Sequence, residues 1–287
     1  HYGIGIKELW EIDSSKHEPG VVMHGLGWPL TETGSSGGWW LYHDENNQVS
    51  FGLVVDLSYH NPYMSPFDEM QRLKTHPVIK EVLEGGKRLS YGARALTKGG
   101  LNSLPKLTFP GGVLVGDDAG FLNPAKIKGT HTSMKSGMLA AEAIFAALQS
   151  GRQHDEVETY SQMFKDSWLY EDNYSARNFA PAMHRMGLFM GGAFTFIEHN
   201  LLKGKMPLTI RDTTPDYDNL DKASTSYKPD YPKPDGKLTF DKLSSVFISN
   251  TNHAEDQPSH LKLTDPTVPV TVNLPIYAEP AQRYCPA

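Results

Sequence analysis

The sequence contains very little cysteine: one Cys, at position 285, among 287 residues. No disulfide can therefore form within the chain, which favours a reducing compartment. Long apolar runs are also missing, since no stretch of about 18 apolar residues occurs that could span a bilayer as a helix. A net charge of −6 provides no basic stripe, so a nucleic-acid partner is not expected.

Several motifs of cofactor and catalytic sites are missing as well. No G-x-G-x-x-G fingerprint lies between a strand and a helix, so the main phosphate site of any dinucleotide is expected outside the chain. The first residue is His1 rather than Met, and no signal peptide is recognisable. Together these features predict a piece of a longer protein. The 12 His residues form no H-E-x-x-H or Cys/His cluster, so a complete metal site is not predicted.

The first part of the chain is predicted to be rich in strands. Apolar residues alternate with small or polar ones from Tyr2 to Ile6, and strand patterns return at 39–43 and 50–59. Residues 44–47 predict a turn between these two strands. The polar, glycine-rich run at 31–38 is interpreted as a loop.

Helical patterns begin after this region. Residues 66–83 are predicted to be helical, with Pro66 at the first helical position and an interruption at Pro77. Another strand is predicted at 87–96. A long helix that opens near Gly129 carries five apolar residues on one face, which is expected to lie in the core. These residues are Met134, Met138, Ala141, Phe145 and Leu148.

The second half of the chain is predicted to be mainly helical at first. A second long helix is expected at 156–178, and the apolar stretch 186–197 is either a buried helix hairpin or a patch that lies in the lipid interface. Residues 212–237 are typical of an extended linker. A short helix at 238–250 should turn Leu243, Val246 and Phe247 inward. Short strands are predicted after it, including segments at 260–265 and 267–277.

The stretch from Phe109 to Leu148 is the best candidate for a cofactor site. A short apolar strand, Val113–Val115, leads into Gly116 and Asp117, and the long helix opens at Gly129-Thr130-His131. Glycines allow close approach of the backbone to a ligand, and the first N–H groups of a helix favour an anion. The alternative is a buried strand, a turn and a packed helix without a ligand. For His131, a capping or packing role is favoured over acid–base chemistry.

Two further features are open to both a functional and a plain structural interpretation. Gly37 and Gly38 could present backbone groups to a flat carbonyl compound such as a quinone, or could simply belong to a hairpin loop. Cys285 precedes Pro286, and a Cys-Pro pair is common among iron–sulfur ligands. From the residues alone, a terminal thiol with no role in a cluster is favoured.

Taken together, these segments resemble the electron transfer flavoprotein–ubiquinone oxidoreductase family over essentially the whole chain. The similarity is carried by long collinear stretches rather than by one short motif. They are YGIGIKELWEID at 2–13, GWPL at 27–30, NPYMSPFDEMQRLKTHP at 61–77, LEGGKRLSYGARAL at 83–96, LPKLTFPGG at 104–112, PAKIKGTHTSMKSG at 124–137, YPKPDGKLTFDKLSSV at 231–246, TNHAEDQPSHL at 251–261 and QRYCPA at 282–287.

The resemblance implies an α+β protein with parts of three domains. A β-rich ubiquinone-binding domain is expected at 1–98, and the C-terminal segment of a glutathione-reductase-type FAD domain at 99–210. A linker and the start of a [4Fe–4S] ferredoxin-like domain are expected at 211–287. The family implies electron transfer from reduced electron transfer flavoprotein, through the cluster and FAD, to ubiquinone. It also implies a monotopic position on the inner membrane, at the bacterial cytoplasmic face or the mitochondrial matrix face.

The resemblance also implies roles for particular residues. One group of residues is expected to contact FAD: Gly116, Asp117, Gly129, Thr130 and His131. Gly37 and Gly38 are expected to contact ubiquinone. Cys285 is expected to be the first cluster ligand. The other three ligands and the first FAD-binding unit are expected outside the chain, so the isolated chain is expected to be inactive. The GDDAG sequence at 116–120 favours a bacterial member.

Two other functions remain open at this stage. One is a flavin-dependent hydroxylase or prenyl-lipid reductase, which would share the Gly-Asp strand end but would have no use for a cysteine cluster. The other is a non-catalytic binding or docking protein without a cofactor.

Overall fold

A computed structural model describes residues 1–259 and 261–286 of the chain. The described residues form two compact units. The sheet unit comprises Gly3–Ala95 and Pro215–Ala287, and the helical unit comprises His1–Tyr2 and Leu96–Thr214. Both helices and strands are present, so the predicted mixture of α and β structure is confirmed.

The sheet unit is built around a five-stranded sheet in the order β2-β3-β4-β1-β5. The neighbours β2 and β3, β3 and β4, and β4 and β1 pair in antiparallel fashion. The predicted alternation after Tyr2 is confirmed, because Ile4, Ile6 and Trp10 turn to the core of the unit. The strands are β1 (Tyr2–Glu11), β2 (Val22–Gly25), β3 (Gly37–His43), β4 (Gln48–Asp56) and β5 (Lys87–Thr97).

The loops around β3 agree only in part with the sequence-based prediction. The turn at 44–47 is confirmed: Asn46 and Asn47 have φ values of 58° and 56°, the left-handed conformation that a tight hairpin turn requires. The predicted loop at 31–38 is wrong at both ends. Leu30–Thr33 forms a short 3₁₀ helix, and β3 already begins at Gly37.

Two short helices follow β4, as the interruption at Pro77 predicts. They are α1 (Pro66–Leu73) and α2 (Pro77–Leu83). The Ser65 side chain accepts a hydrogen bond from the Asp68 amide and caps α1, while Pro66 occupies the first turn, where its missing N–H costs nothing. Phe67, Met70 and Leu73 then face the core of the sheet unit.

The segment predicted to be a linker belongs to the sheet unit from Pro215 onward and packs within it. The Tyr231 hydroxyl donates to the Glu69 carboxylate at 2.8 Å and accepts from the Ser65 amide at 3.0 Å. The Asn61 side chain donates to the Tyr227 carbonyl at 2.7 Å. The only helical elements of this segment are short 3₁₀ turns, and these side-chain bonds fix its position.

The helical unit begins with a small hairpin and continues through five helices. The hairpin pairs β6 (Thr108–Phe109) with β7 (Gly112–Val113). The predicted strand Val113–Val115 is therefore wrong beyond Val113, and Gly116 opens one turn of helix. The helices are α3 (Gly116–Ala119), α4 (Thr130–Gln149), α5 (Glu158–Lys165), α6 (Trp168–Ser175) and α7 (Phe179–Phe196).

Two predictions for the helices of this unit are wrong. The single helix expected at 156–178 is interrupted at Asp166 and Ser167, where the Ser167 hydroxyl turns back to the Phe164 carbonyl at 2.7 Å. The apolar face predicted to be buried on α4 is exposed, with Met134 at 66% and Phe145 at 64%. The helix instead buries a neighbouring face of small side chains together with one leucine: Leu139, Ala140, Ala143 and Ala147.

The C-terminal part of the sheet unit also differs from its prediction. The predicted short helix is confirmed as α8 (Lys242–Ser249), but Leu243 and Phe247 are 82% and 84% exposed rather than inward. The predicted strands are wrong for residues 261–286, and His260 lies outside the described residues. A π-helical turn at Pro269–Asn273 leads into α9 (Leu274–Tyr277), followed by α10 (Ala281–Tyr284).

Candidate functional site

The residues predicted to contact FAD come together at the start of α4 in the helical unit. Gly116 has a φ of 62°, which favours glycine, and its amide donates to the Ser136 hydroxyl of α4 at 2.9 Å. This bond ties the start of α3 to α4. Asp117 follows Gly116, and its backbone carbonyl accepts a hydrogen bond from the Thr97 hydroxyl.

Asp117 and Gly129 are in close contact. A Cβ atom added to Gly129 would lie only 2.5 Å from Oδ1 of Asp117. The carboxylate thus rests against the Cα of the residue that precedes α4, and only glycine leaves room for it. Gly116, Asp117, Gly129, Thr130 and His131 form one contiguous group, although the predicted residues are separated by 11 intervening positions in the sequence.

The N-terminus of α4 is part of this group. Gly129 provides no side-chain cap for the helix, and the helix continues for 20 residues. The first amides of such a helix have no acceptor within it, and the helix dipole makes its N-terminus attractive to anions. A carboxylate beside these amides adds an acceptor for hydroxyl groups. The arrangement can hold a ligand that carries both hydroxyls and an anionic or electron-rich edge.

His131 is held by two neighbours that the sequence did not indicate. Its Nε2 lies 3.4 Å from Oδ2 of Asp172, and its ring stacks on Trp168 with a centroid distance of 6.0 Å and an interplanar angle of 5°. Burial opposes ionisation of Asp172, but hydrogen bonds from Lys126, Asn123 and His131 outweigh it and lower the pKa of that carboxyl. These contacts agree with the packing role favoured for His131.

Gly37 and Gly38 lie in β3, opposite Val55 and Val54 of β4. A Cβ atom at Gly37 would lie 2.1 Å from the Val54 carbonyl oxygen, and one at Gly38 would lie 2.9 Å from the Gly25 carbonyl oxygen. Both glycines are therefore required by close backbone packing. Two other glycines lie against indole rings. A Cβ atom at Gly25 would lie 2.1 Å from the ring of Trp39, and one at Gly52 would lie 2.2 Å from the ring of Trp40.

We expect Gly37→Ala to lower the free energy of unfolding by roughly 3 kcal/mol, the cost of forcing a methyl group into packed structure. The added carbon would press on backbone, which cannot rotate away as a side chain can. Gly92→Ala in β5 is the control, because nothing lies within 4 Å of a Cβ there. Urea denaturation of both variants checks this. Equal stabilities would contradict the packing explanation.

Cys285 is exposed, and polar side chains hold the carbonyl groups at and after it. Lys242 Nζ donates to the Cys285 carbonyl at 2.9 Å, and the Tyr91 hydroxyl donates to the Pro286 carbonyl at 2.6 Å. Burial raises the pKa of Tyr91, so this hydroxyl stays protonated at neutral pH. Among residues 1–259 and 261–286, no group of three or more His, Cys, Asp or Glu side chains could hold a metal ion.

A buried ionic network crosses the sheet unit and was not predicted. The Glu8 carboxylate accepts from Lys74 at 3.0 and 3.1 Å, from Arg88 at 3.1 Å and from the Trp10 indole at 2.8 Å. Neither Glu8 nor Lys74 has any exposed side-chain surface. Burial lowers the pKa of Lys74 to about 8 against the attraction of Glu8, so the ammonium remains mostly charged at pH 7.

The network extends to the C-terminal part of the sheet unit. Arg88 Nη1 donates to the Ser245 hydroxyl at 2.7 Å, and the guanidinium lies 3.8 Å from the centre of the Phe240 ring. A cavity of about 830 Å³ borders Arg88 and Phe240. Gly37, Gly38 and Cys285 are not among the residues that line this cavity. The cavity is therefore separate from the residues predicted to bind ubiquinone and the cluster.

An apolar patch, defined here as the exposed apolar residues of 186–202, lies at the end of the helical unit. Gly187 breaks α7 with a φ of 71° and a ψ of −179°. Past this kink Phe189 is 89% exposed and Met190 68%. Of the two alternatives for this stretch, the buried helix hairpin does not agree with the exposure of these side chains. No helix of the described part of the chain is long and apolar enough to cross a membrane.

Two family models match separate parts of the sequence. The model described as the ubiquinone-binding part of ETF-QO matches residues 2–96. The model described as the 4Fe-4S part of electron transfer flavoprotein-ubiquinone oxidoreductase matches residues 236–287. In the structure both segments belong to the sheet unit, apart from Tyr2 and Leu96 at the ends of the first one.

Curated proteins match the whole chain. One is the probable electron transfer flavoprotein-ubiquinone oxidoreductase of Acinetobacter baylyi, 64% identical over 100% of this chain and 53% of that protein. Another is the electron transfer flavoprotein-ubiquinone oxidoreductase of Pseudomonas aeruginosa, 64% identical over 100% of this chain and 52% of that protein. The chain thus spans about half the length of the curated relatives it matches.

The similarity to solved structures is weaker. A geranylgeranyl bacteriochlorophyll reductase-like protein from Thermoplasma acidophilum aligns with a TM-score of 0.48 and 17% identity. The alignment covers 74% of this chain and 49% of that one. A likeness of this size does not bear on function.

Proposed function

Because the chain belongs to the electron transfer flavoprotein–ubiquinone oxidoreductase family, we propose that it is part of an enzyme that passes electrons from electron transfer flavoprotein to ubiquinone. Electrons would travel through a [4Fe–4S] cluster and FAD, which supply the redox chemistry when bound. The observation that carries this proposal is the match of the two segments of the sheet unit to the ubiquinone-binding and 4Fe-4S models.

We also propose an assignment of the chain to three domains. We assign 1–98 to the ubiquinone-binding domain, 99–210 to the C-terminal segment of the FAD domain, and 211–287 to a linker and the start of a ferredoxin-like domain. The family match at 2–96 supports the first assignment, and the match at 236–287 supports the third.

In the FAD site we assign distinct roles to the group at the start of α4. Asp117 would accept hydrogen bonds from ribityl or ribose hydroxyls, and Gly116 would keep the backbone in the conformation that brings Asp117 there. The amides of Gly129, Thr130 and His131 would face the flavin ring. The space that a Cβ at Gly129 would fill supports this fit, because it holds the Asp117 carboxylate against the helix start.

For ubiquinone we assign Gly37 and Gly38, whose backbone groups would contact the quinone carbonyl. For the cluster we assign Cys285 as one ligand. A thiolate is the donor that a [4Fe–4S] cluster takes, and the exposure of Cys285 leaves its sulfur accessible. Four thiolates are needed, so this chain would supply one of them and other parts of the protein the rest.

We further propose that the protein sits on the inner membrane without spanning it, with the apolar patch in the lipid interface. Arg185, Lys203 and Lys205 flank the patch in the sequence, where cationic groups would meet lipid headgroups. The strong exposure of Phe189 and Met190 supports this arrangement, since isolated soluble domains rarely expose such a contiguous apolar set.

We expect Phe189→Asp to weaken binding to liposomes by about tenfold or more, because it removes an aromatic ring from the interface and adds a charge. Phe247→Asp is the matched control, since Phe247 is 84% exposed but lies in the sheet unit, on α8. Flotation of the full-length protein with liposomes measures both. Equal binding by wild type and Phe189→Asp would count against the membrane proposal.

The proposed function is tested by the cofactor content of the full-length protein that contains this chain. Flavin absorbance and the analysis of iron and acid-labile sulfide should give one FAD and one [4Fe–4S] cluster per chain. A well-folded full-length protein without flavin would overturn the proposal.

A further inference from the structure

Cys285 lies at the end of a segment that is fixed at two successive carbonyl groups. The Lys242 ammonium holds the carbonyl of Cys285 itself, and the Tyr91 hydroxyl holds the carbonyl of Pro286. The two donors come from different parts of the sheet unit: Tyr91 from β5 and Lys242 from α8. Two bonds to adjacent residues restrict the backbone around the thiol far more than one would.

Tyr91 is itself held in place, whereas the Lys242 bond lies at the surface. Tyr91 is only 4% exposed, and its ring packs edge-on against Phe67 with a centroid distance of 6.0 Å. The Lys242 ammonium lies 5.9 Å from the centre of the same Phe67 ring. One buried ring of α1 therefore contacts both donors, which links their positions to the core of the sheet unit.

The charges of the two donors differ. The Tyr91 hydroxyl is neutral and acts only through its position. Lys242 places its positive charge beside the backbone carbonyl of Cys285. A cation near a cluster ligand stabilises the reduced form of a cluster, which is the more negative one.

We propose that Tyr91 and Lys242 form a clamp that positions Cys285 as a cluster ligand, and that the Lys242 charge raises the reduction potential of the cluster. The proposal rests on the proposed function, because it needs Cys285 to bind the [4Fe–4S] cluster. Both side chains act through the backbone of the ligand and are positioning residues, not catalytic ones.

The test uses the full-length protein with its cluster, and its readouts are reduction potential and cluster retention. Lys242→Met should shift the midpoint potential, followed by EPR in a redox titration, to more negative values, whereas Lys242→Arg should keep it near that of the wild type. Tyr91→Phe should leave the potential nearly unchanged. It should speed the loss of iron to a chelator by about fivefold, the effect of one lost hydrogen bond.

The control is Lys262→Met, which removes the same charge from an exposed lysine of the same family segment. It should change neither the potential nor the retention of iron. If Lys242→Met holds no cluster at all, a Tyr91→Phe protein that loses its cluster faster than the wild type still supports the clamp. Wild-type potential and retention in both Lys242→Met and Tyr91→Phe would overturn it.

The outcome is distinguishable from failure of the proposed function. If the wild-type protein contains no iron or sulfide, the proposal that it binds a cluster is refuted. If the wild-type protein contains a cluster but Lys242→Met and Tyr91→Phe behave as the wild type, only the proposed clamp is refuted.

Discussion

Replacement of Glu8 by Gln is expected to lower the free energy of unfolding by about 3–5 kcal/mol, the range typical of breaking a buried ion pair from one side. Glu8 is the only acidic partner of Lys74 and Arg88 among the hydrogen bonds of the described residues. Without its charge, Arg88 and Lys74 lose this partner, so Lys74 must either stay as an unpaired buried cation or give up its proton, and both cost free energy. Water cannot solvate Lys74, which has no exposed side-chain surface.

Glu11→Gln is the matched control for this prediction. It makes the same chemical change on the same strand, but Glu11 is exposed. We expect its stability to stay within about 0.5 kcal/mol of the wild type, as is usual for surface substitutions. Urea denaturation at pH 7 measures both variants. A loss below about 1 kcal/mol in Glu8→Gln would show that the network contributes little to the fold.

Gly129→Ala is expected to weaken FAD binding by about tenfold or more while leaving the fold intact. The new methyl group would displace the Asp117 carboxylate, and losing a hydrogen bond between a charged group and a cofactor hydroxyl costs about 1.5–3 kcal/mol. The fold should tolerate the change, because the atoms nearest the methyl are ends of side chains, Oδ1 of Asp117 at 2.5 Å and Cδ1 of Leu122 at 3.2 Å.

Gly137→Ala offers a control with the same substitution within α4, eight residues further along the chain. Nothing lies within 4 Å of a Cβ at Gly137, so FAD binding should be unchanged. The helix should gain roughly 0.5–1 kcal/mol, because alanine favours helix over glycine. The test is to remove the flavin from both full-length variants and to measure their affinity for FAD by fluorescence. Wild-type affinity in Gly129→Ala would remove Asp117 from the FAD site.

Local patterns in the sequence predicted much of the sheet unit. The alternation from Tyr2 onward predicted β1, and the polar run 44–47 predicted the hairpin turn, in which Asn46 and Asn47 adopt positive φ. Ser65 followed by Pro66 marked the start of α1, since both residues satisfy the requirements of a helix N-terminus. Each of these elements depends on neighbouring residues alone.

Burial of a helix face depends on tertiary contacts, and there the predictions were wrong. On α4 the large apolar residues gave the clearer periodic pattern, but Ala140, Ala143 and Ala147 pack inside because small side chains permit close approach to the neighbouring helices. Near the C-terminus, valines and threonines suggested strands. Pro269 and Pro275 lie in the first turns of helical segments there, a position that proline tolerates well.

The groups that control charge could not have been predicted from spacing. Glu8 meets Lys74 and Arg88 across 66 and 80 positions of sequence, and His131 meets Asp172 across 41. No local pattern links such residues. By contrast, Gly116, Asp117 and Gly129 were identified as candidates because glycine and aspartate beside a helix start have a recognisable local signature.

The most direct test of the central claim is electron transfer by the full-length protein. Reduced electron transfer flavoprotein and a soluble ubiquinone analogue are mixed with it anaerobically, and the absorbance of both is followed. The account predicts that the quinone is reduced in step with oxidation of the flavoprotein, and only when the full-length protein is present. A full-length protein that retains its cofactors but leaves the quinone oxidised would contradict it.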